Sequence, residues 1–269
     1  MLGVSSEETA AWHDAADAAH IPYDDELGVH EQCEGFTSLR EWNFTENTSY
    51  PLLLHEAYVR LYPSQVIKQA DLELAMQWCS RDFTPEQKAR NVDYYERRTT
   101  RDSSLSSCTQ AVMCAEVGHL ELAHDYAYEA ALIDLRDLHS NTRDGLHMAS
   151  LAGAWMALVN GFGGLRDDEG VLALNPQLPD GITRLRFRLR WRDFRVTVDA
   201  NHSDVTYTLR DGPGGGLTIR HAGEELELDT EEPTTIAVRR RKPLLPPPPQ
   251  PPGREPMHRR SLVQQLTDG

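Results

Sequence analysis

The sequence has few cysteines, a deficit of positive charge and no long apolar run. Its four cysteines form no Cys-x-x-Cys pair, which favours reduced, mostly buried thiols over a disulfide framework or a zinc site. The longest apolar-rich segment, 146–162, contains His147, Ser150 and Asn160 and falls short of a membrane span. The N-terminus lacks the basic and apolar regions of a secretion signal, so we expect a cytoplasmic protein with no membrane partner.

Motifs for nucleotide or metal binding are also missing. The glycines of segment 161–164 are not followed by the Lys-Ser/Thr pair of a phosphate-binding P-loop. The 11 histidines show no metal-ligand spacing, since His119 and His124 are five residues apart and do not share a helix face. We therefore expect neither a metal site nor an organic cofactor.

Charge is unevenly placed along the chain. There are 27 Lys and Arg against 42 Asp and Glu, a formal net charge of −15. Seven of the basic residues and two of the acids lie from Arg239 onward, which leaves the preceding part at −20. Such an acidic body repels nucleic acid, so no nucleic-acid partner is expected. Residues 241–269 are basic and proline-rich, and we predict a disordered, extended tail there.

The first half of the chain has the apolar spacing and the end signals of helices. With 39% hydrophobic and 26% charged residues, the composition is that of an ordinary globular protein. Thr84, Pro85 and Gln87 form the N-terminal signature of one helix. The pattern predicts helices over 5–19, 52–61, 64–79, 84–97, 103–117, 120–138 and 145–162.

The period changes after the glycine pair at 163–164. Segments such as LRFRLRW and FRVTV alternate apolar with polar residues, and GPGGG and AGEE supply turns. Helices followed by strands indicate segregated packing units. The prediction is an α+β protein: a helical domain over 1–165, a small antiparallel β-sheet domain over 166–240 and the disordered tail over 241–269.

Segment 94–107, YYERRTTRDSSLSS, sets an arginine and a run of hydroxyls at the start of a predicted helix. The first N–H groups of a helix lack intrahelical partners and lie at the positive end of its dipole, which favours phosphate. Arg101, Ser103 and Ser104 can donate hydrogen bonds to such an anion. From these residues alone, an ordinary N-cap at Asp102 or Ser103 beside a solvated arginine is the simpler interpretation.

Four segments occur in a distinctive order: IKQAD at 67–71, DYYE at 93–96, DSSLS at 102–106 and NTRDGLHMAS at 141–150. In order and spacing they resemble glycoside hydrolase family 65. The resemblance runs from about residue 21 to about residue 200. That family contains trehalose, maltose and kojibiose phosphorylases together with trehalases, and this chain resembles the last third of its longer members.

The resemblance implies the C-terminal part of an (α/α)6 toroid followed by a β-sheet domain. It places Lys68 and Gln69 in the glucose-binding subsite, and Ser103, Ser104 and His147 at a phosphate site. Without the resemblance, the Lys-Gln pair fits a solvated helix face and the histidine fits an ordinary helix start. The family's general acid is a Glu in a Gly-Pro-Asp-Glu-Tyr-like motif, which this sequence lacks, so we assign no catalytic residue.

One position departs from the family pattern. Arg101 stands where phosphorylases usually carry histidine, and trehalase-like members share Arg-Asp-Ser-Ser here. Arginine keeps a permanent charge and can still bind phosphate, so the predicted phosphate site includes Arg101. We expect an inverting enzyme that cleaves an α-linked glucose disaccharide, with trehalose and hydrolysis favoured and phosphorolysis as the alternative. Inorganic phosphate is then an activator or a co-substrate.

The resemblance covers only part of a toroid, so the helical domain is expected to expose apolar surface. Three interpretations stay open: the C-terminal part of an α-glucoside-cleaving enzyme, a truncated product without activity, or a module that pairs with a chain supplying the acid. That second chain, or another copy of this one, is the expected protein partner.

Overall fold

The computed structural model describes residues 3–46, 49–212 and 215–256, in which helices come first and the larger sheets follow. The helices are α1 Ser6–Asp17, α2 Leu52–His55, α3 Tyr58–Leu61, α4 Asp71–Trp78, α5 Pro85–Glu96, α6 Ser106–Glu116, α7 Leu120–Leu132 and α8 Met148–Met156, extended by a π-helix at Ala157–Phe162. Short strands lie among the first helices: β1 Tyr23–Asp24, β2 Val29–His30, β3 Arg40–Glu41 and β4 Ser64–Gln65. No helix in these ranges is long and apolar enough to cross a membrane.

Helix α5 begins where its local sequence signals predict. The Thr84 hydroxyl accepts a hydrogen bond from the Gln87 backbone N–H, and the Gln87 side chain accepts one from the Thr84 N–H. Pro85 occupies the first helical position, where a missing N–H breaks no hydrogen bond. The prediction for this helix is confirmed.

The predicted helix over 64–79 is wrong in its first half. This segment begins as strand β4, which pairs in parallel with β3, and turns helical only in α4. The Gln65 side-chain amide donates to the carbonyls of Thr37 and Leu39, at 2.8 Å each. Distant backbone groups therefore hold this segment extended, against its local helical pattern.

Two other predicted helices change form along their length. The helix predicted over 52–61 is split between α2 and α3, because Glu56 has an extended backbone. The helix predicted over 145–162 becomes a π-helix after Met156. There Gly161 lies against α6, and a Cβ at its position would be in van der Waals contact with Val112 Cα, at 3.4 Å.

One apolar core joins helices α4 to α8. Met76, Val92, Met113, Tyr126 and Phe162 are all buried in it. Full burial of one such apolar side chain contributes about 1.5–3 kcal/mol, so this core is the main stabilising element of the helical unit. Leu178 and Leu185, which follow the helices in sequence, belong to the same cluster and tie the second unit to the first.

Eight strands form two four-stranded sheets around a second core. They are β5 Arg166–Asp168, β6 Val171–Leu174, β7 Arg184–Trp191, β8 Phe194–Asn201, β9 Asp204–Arg210, β10 Leu217–His221, β11 Glu224–Leu228 and β12 Thr234–Ala237. The sheet orders are β11-β10-β6-β5 and β12-β9-β8-β7. The fold is α+β as predicted, but β6 and β10 pair in parallel, so the sheets are not wholly antiparallel. The (α/α)6 toroid and the domain boundaries stay predictions.

The first part of the tail, residues 241–256, is packed on the protein and not disordered as predicted. They run along the helical unit, where Leu245 packs against its apolar core. Further along, Gln250 Nε2 donates to Oε2 of the buried Glu96 at 3.1 Å. Prolines restrict the backbone, which lowers the entropy lost when such an extended segment is held in one place. The rest of the predicted tail, 257–269, lies outside the described residues.

All four cysteines are free thiols. Cys114 is buried and Cys108 is half-buried, but Cys33 and Cys79 are exposed, so the expectation of mostly buried thiols is wrong. Cys33 lies in a bend and Cys79 ends α4, and both positions are off the apolar faces that form the core.

Candidate functional site

Backbone hydrogen bonds join the loop before α4 to the loop between α5 and α6. The Ile67 N–H donates to the Arg98 carbonyl, and the Thr100 N–H donates to the Ile67 carbonyl, each at 2.9 Å. As a result Lys68–Gln69, which directly follow the first of these residues, lie beside segment 101–104. The tertiary structure thus places the predicted sugar-binding pair next to most of the predicted phosphate-binding residues.

A cavity of about 590 Å³ lies where these loops meet α2 and α3. Small-molecule sites have volumes of roughly 300–1,000 Å³ and combine apolar walls with a few polar groups. A sugar ring fits that description, because it has apolar faces and hydroxyls at its edge. The lining includes the polar residues Lys68, Asp71, Thr100 and Asp102 and the apolar or aromatic residues Phe36, Leu39, Leu52, Leu53, Tyr58, Leu61, Tyr62, Val66 and Ile67.

Three side chains of this cavity were missed by the sequence analysis. The rings of Tyr58 and Tyr62 stack with centroids 5.5 Å apart and are 56% and 76% exposed. Their spacing of four residues on one helical turn was the available signal, since such pairs share a helix face. Asp71 also lines the cavity and accepts a hydrogen bond from Gln69 Nε2 at 2.7 Å.

Lys68 and Gln69 lie in a loop, although the helix predicted over 64–79 included them. Helix α4 begins only at Asp71, two residues after the pair. Lys68 is exposed and lines the cavity, so its ammonium is accessible to a ligand. Its carbonyl accepts a hydrogen bond from Ser106 Oγ at 3.5 Å, which links the loop to the start of α6.

Ser103 and Ser104 lie in the turn before α6, because that helix begins at Ser106 and not at the predicted Ser103. The Ser103 hydroxyl accepts a hydrogen bond from the Leu105 N–H at 3.3 Å. Both serines are half-buried, and no side chain caps the helix start. The turn therefore keeps backbone donors and hydroxyls together, as a phosphate site requires.

The Arg101 guanidinium is buried in this structure, and its part in a phosphate site stays a prediction. Arg101 is 4% exposed, with a φ of +53°, which is uncommon for a residue other than glycine. Its Nη1 donates to the Tyr126 hydroxyl at 3.0 Å, and its Nε lies 3.5 Å from Glu129 Oε1. The side chain points inward because these two residues of α7 hold its charge inside the helical unit.

Two further carboxyl groups in this part of the core, those of Glu96 and Glu73, are fully buried. Glu96 accepts hydrogen bonds from the Tyr126 hydroxyl, Gln110 and Gln250, at 2.6, 2.7 and 3.1 Å. Burial raises the pKa of Glu96, although these donors oppose the shift. Glu73 has no hydrogen-bond partner for either oxygen among the described residues. Burial first, and then the charge of Glu96, raise the pKa of Glu73 well above its ordinary value of 4.5.

The raised pKa of Glu73 predicts a stability that falls as pH rises. Above about pH 5 the unfolded chain releases this proton while the folded protein retains it, so the free energy of unfolding drops by up to about 1.4 kcal/mol per pH unit. Glu73→Gln should remove that component of the slope above about pH 5, measured by urea unfolding. The control is Glu86→Gln, which changes an exposed glutamate and should leave the slope unaltered. An unchanged slope in Glu73→Gln would contradict the assignment.

His147 precedes α8 and is held by Asp134. Its backbone N–H donates to Asp134 Oδ2 at 2.9 Å, and its Nδ1 lies 2.6 Å from Oδ1. Its ring centroid is 5.8 Å from that of His139, which the sequence analysis did not single out. Burial chiefly, and then the charges of His147 and Arg254, lower the pKa of His139.

Arg254, in the tail, lies between the loop of His139 and the loop before α6. Its guanidinium donates to the carbonyls of Thr100 and Arg101, the latter at 2.6 Å, and lies 3.7 Å from Asp102 Oδ1. It also lies over the Tyr50 ring, 4.9 Å from the centroid. Arg254 therefore brings a positive charge from the tail to the region of the predicted phosphate site. The prediction of a disordered tail did not foresee this contribution.

In the part of the chain that the structure describes, no group of three or more His, Cys, Asp or Glu could hold a metal ion. Two carboxylates line the cavity. Asp102 Oδ2 accepts a hydrogen bond from the Leu53 N–H at 3.4 Å and its other oxygen faces Arg254. Asp71 is exposed. We assign neither the role of general acid.

Known proteins share both units of this fold. Residues 1–156 match the family described as "Glycosyl hydrolase family 65 central catalytic domain", and residues 165–228 match its C-terminal domain. A human-microbiome protein provisionally named a kojibiose phosphorylase has a solved structure that superposes with a TM-score of 0.77 at 30% identity, over 87% of this chain and 32% of its own.

Curated proteins are also similar in sequence. A glycosyl hydrolase of Mycobacterium leprae with no characterised activity is 82% identical over 96% of this chain and 33% of its own length. An α,α-trehalose phosphorylase of Geobacillus stearothermophilus is 40% identical over 87% of this chain and 31% of its own. The chain spans about a third of the length of these relatives. It belongs to glycoside hydrolase family 65.

Proposed function

We propose that this chain supplies the sugar- and phosphate-binding part of an inverting enzyme that cleaves an α-linked glucose disaccharide. The observation that carries the proposal is the pairing of Ile67 with the backbone of segment 98–100. It sets Lys68, which lines the cavity, beside the turn of Ser103 and Ser104 (the serine turn), whose neighbour Asp102 also lines it. Inverting cleavage needs a proton donor for the leaving oxygen and a nucleophile on the opposite face of the sugar. A cation and hydroxyls that bind sugar and phosphate would orient the substrate for attack on that face.

Trehalose is the substrate that we propose. Similarity to a protein named trehalose phosphorylase, at 40% identity, is greater than to kojibiose phosphorylases, one of which is 32% identical over 84% of this chain. The Lys68 ammonium and the Gln69 amide would donate to glucose hydroxyls. The exposed faces of Tyr58 and Tyr62 would pack against the apolar face of a sugar ring.

We propose water as the nucleophile and inorganic phosphate as an activator. Arg101 stands where phosphorylases usually have histidine, and Tyr126 and Glu129 already engage its guanidinium. A phosphate near Arg254 and the serine turn would complete the positive side of the pocket, while hydrogen bonding would lower its nucleophilicity. The alternative is phosphorolysis, which the relatives named phosphorylases favour.

The proton donor is proposed to come from a segment other than the one described here, because the sequence has no Gly-Pro-Asp-Glu-Tyr-like motif. Large apolar side chains stay exposed on the helical unit, including Val59, Trp78 and Trp155 at 79%, 75% and 54%. Such surface suits packing against further toroid helices, in the same polypeptide or in a partner chain. A second copy of this chain is the other partner that this surface fits.

Product analysis tests the proposal. A polypeptide of the relatives' length that contains this chain should convert trehalose to glucose, with a rate that rises on addition of phosphate. If glucose 1-phosphate were the main product in phosphate buffer, the reaction would be phosphorolysis and not hydrolysis. Failure to cleave trehalose, together with turnover of kojibiose or maltose, would overturn the choice of substrate and keep the reaction class.

A further inference from the structure

Arginines are concentrated on the outer face of one sheet, far along the chain from the cavity. In β7 the residues at 184, 186, 188 and 190 are all arginine and exposed, while the residues between them face the cores. The strand register aligns Arg190 with Arg195 of β8, and Arg195 with Arg210 of β9. Three guanidinium groups thus form one row across three strands.

Such a row is unfavourable for the sheet itself. Like charges directly opposite on neighbouring strands destabilise their pairing, and sheets usually set opposite charges across from each other. The acidic partners are mostly elsewhere: Asp199 pairs with Arg184 and Arg186 at 2.6 and 3.5 Å, at the other end of the strands. Positive charge concentrated at this end of the strands favours the binding of an anion there.

The free charges of this face surround a groove. Asp211 lies 3.1 Å from Arg195, but Arg188 and Arg210 form no ion pair with any acidic residue in the described ranges. The neighbouring row places Thr197 and Thr208 side by side, and their side chains join the arginines in lining a groove of about 370 Å³. Guanidinium forks and hydroxyls together are donors matched to phosphate oxygens.

Size and charge decide which anion fits. The groove has the volume of a small-molecule site, whereas a protein interface needs roughly 800 Å² of surface on each partner. A long polyanion would pass over the rest of the chain, which is strongly acidic. A short one in the groove would be screened from that charge beyond about 8 Å at physiological salt.

We propose that this arginine groove binds a short anion with two or three phosphate groups, independently of the sugar cavity. Residues side by side in one row are about 4.8 Å apart, and same-face residues along one strand are about 7 Å apart. Neighbouring guanidinium groups can therefore hold successive phosphates of one ligand. The site lies on the second unit of the fold, so it does not depend on the function proposed above.

The test is titration calorimetry of the 269-residue chain with tripolyphosphate at two salt concentrations. One ligand should bind per chain, and more weakly at high salt. The double variant Arg188→Gln with Arg210→Gln should bind at least about tenfold more weakly, since it loses two charge-assisted hydrogen-bonding groups. The control, Arg184→Gln, removes one arginine charge from the same face at the Asp199 end and should bind like the unaltered chain, and each of Arg188→Gln and Arg210→Gln alone should bind more weakly than it.

Other outcomes overturn the proposal. Equal affinity in the double variant, with circular dichroism showing that it is folded, would mean that tripolyphosphate binds elsewhere. If a single-stranded oligonucleotide bound with equal affinity per phosphate, the face would be a general surface for polyanions and not a site for a short ligand. No tripolyphosphate binding, with a salt-sensitive dimer that the double variant loses, would assign the arginines to an acidic face of a second copy.

Discussion

Replacing Arg101 with methionine is expected to lower the free energy of unfolding by about 3 kcal/mol, the lower end of the cost of removing one partner from a buried ion pair. The guanidinium is 4% exposed and is the cation between the Tyr126 hydroxyl and Glu129. Without the guanidinium, the polar atoms of Tyr126, Glu129 and the adjacent Glu96 would stay buried but would no longer have a positive charge beside them. Urea or thermal unfolding of the 269-residue chain measures the effect.

The control for this change is Arg143→Met. The Arg143 side chain is 85% exposed, and the variant should stay within about 0.5 kcal/mol of the unaltered chain. A second readout distinguishes the buried network from a phosphate site. If Arg101→Met kept its stability in phosphate-free buffer and lost only the stabilisation given by added phosphate, the guanidinium would belong to the phosphate site as the sequence predicted.

Replacing Lys68 with methionine is expected to lower kcat/KM for trehalose by about 100-fold, because a hydrogen bond from a charged donor contributes about 1.5–3 kcal/mol. Lys68 is exposed at the cavity, in a loop that backbone bonds fix beside segment 98–100. Methionine keeps the length and the apolar stem of the side chain while removing the charge. The measurement uses a polypeptide of the relatives' length that contains this chain.

Lys242→Met is the matched control, since Lys242 is also exposed and does not line this cavity. It should leave kcat/KM unchanged. If both lysine variants lost activity equally, the effect would reflect the net charge of the protein. If neither did, the sugar subsite would lie outside the 590 Å³ cavity and the proposed role of Lys68 would be wrong.

Short-range patterns in the sequence were sufficient for several elements. The capping box of Thr84 and Gln87 identified α5, and the alternation of arginine with apolar residues identified β7. These signals operate within a few residues, so the sequence alone carries them. Motifs in the family's order were also enough to identify glycoside hydrolase family 65, and they singled out Lys68, Ser103 and Ser104 as candidate site residues.

Contacts between distant segments decided the rest. Gln65 holds β4 extended through carbonyls 26 and 28 residues away, against its helical pattern. Arg101 turns inward because Tyr126 and Glu129 meet it from α7, and Arg254 reaches the same region from more than 150 residues along the chain. The sequence determined the helical and strand periods and the family. Which arginine faces the candidate site was decided only by tertiary packing, because the burial of a charge depends on partners that local spacing does not specify.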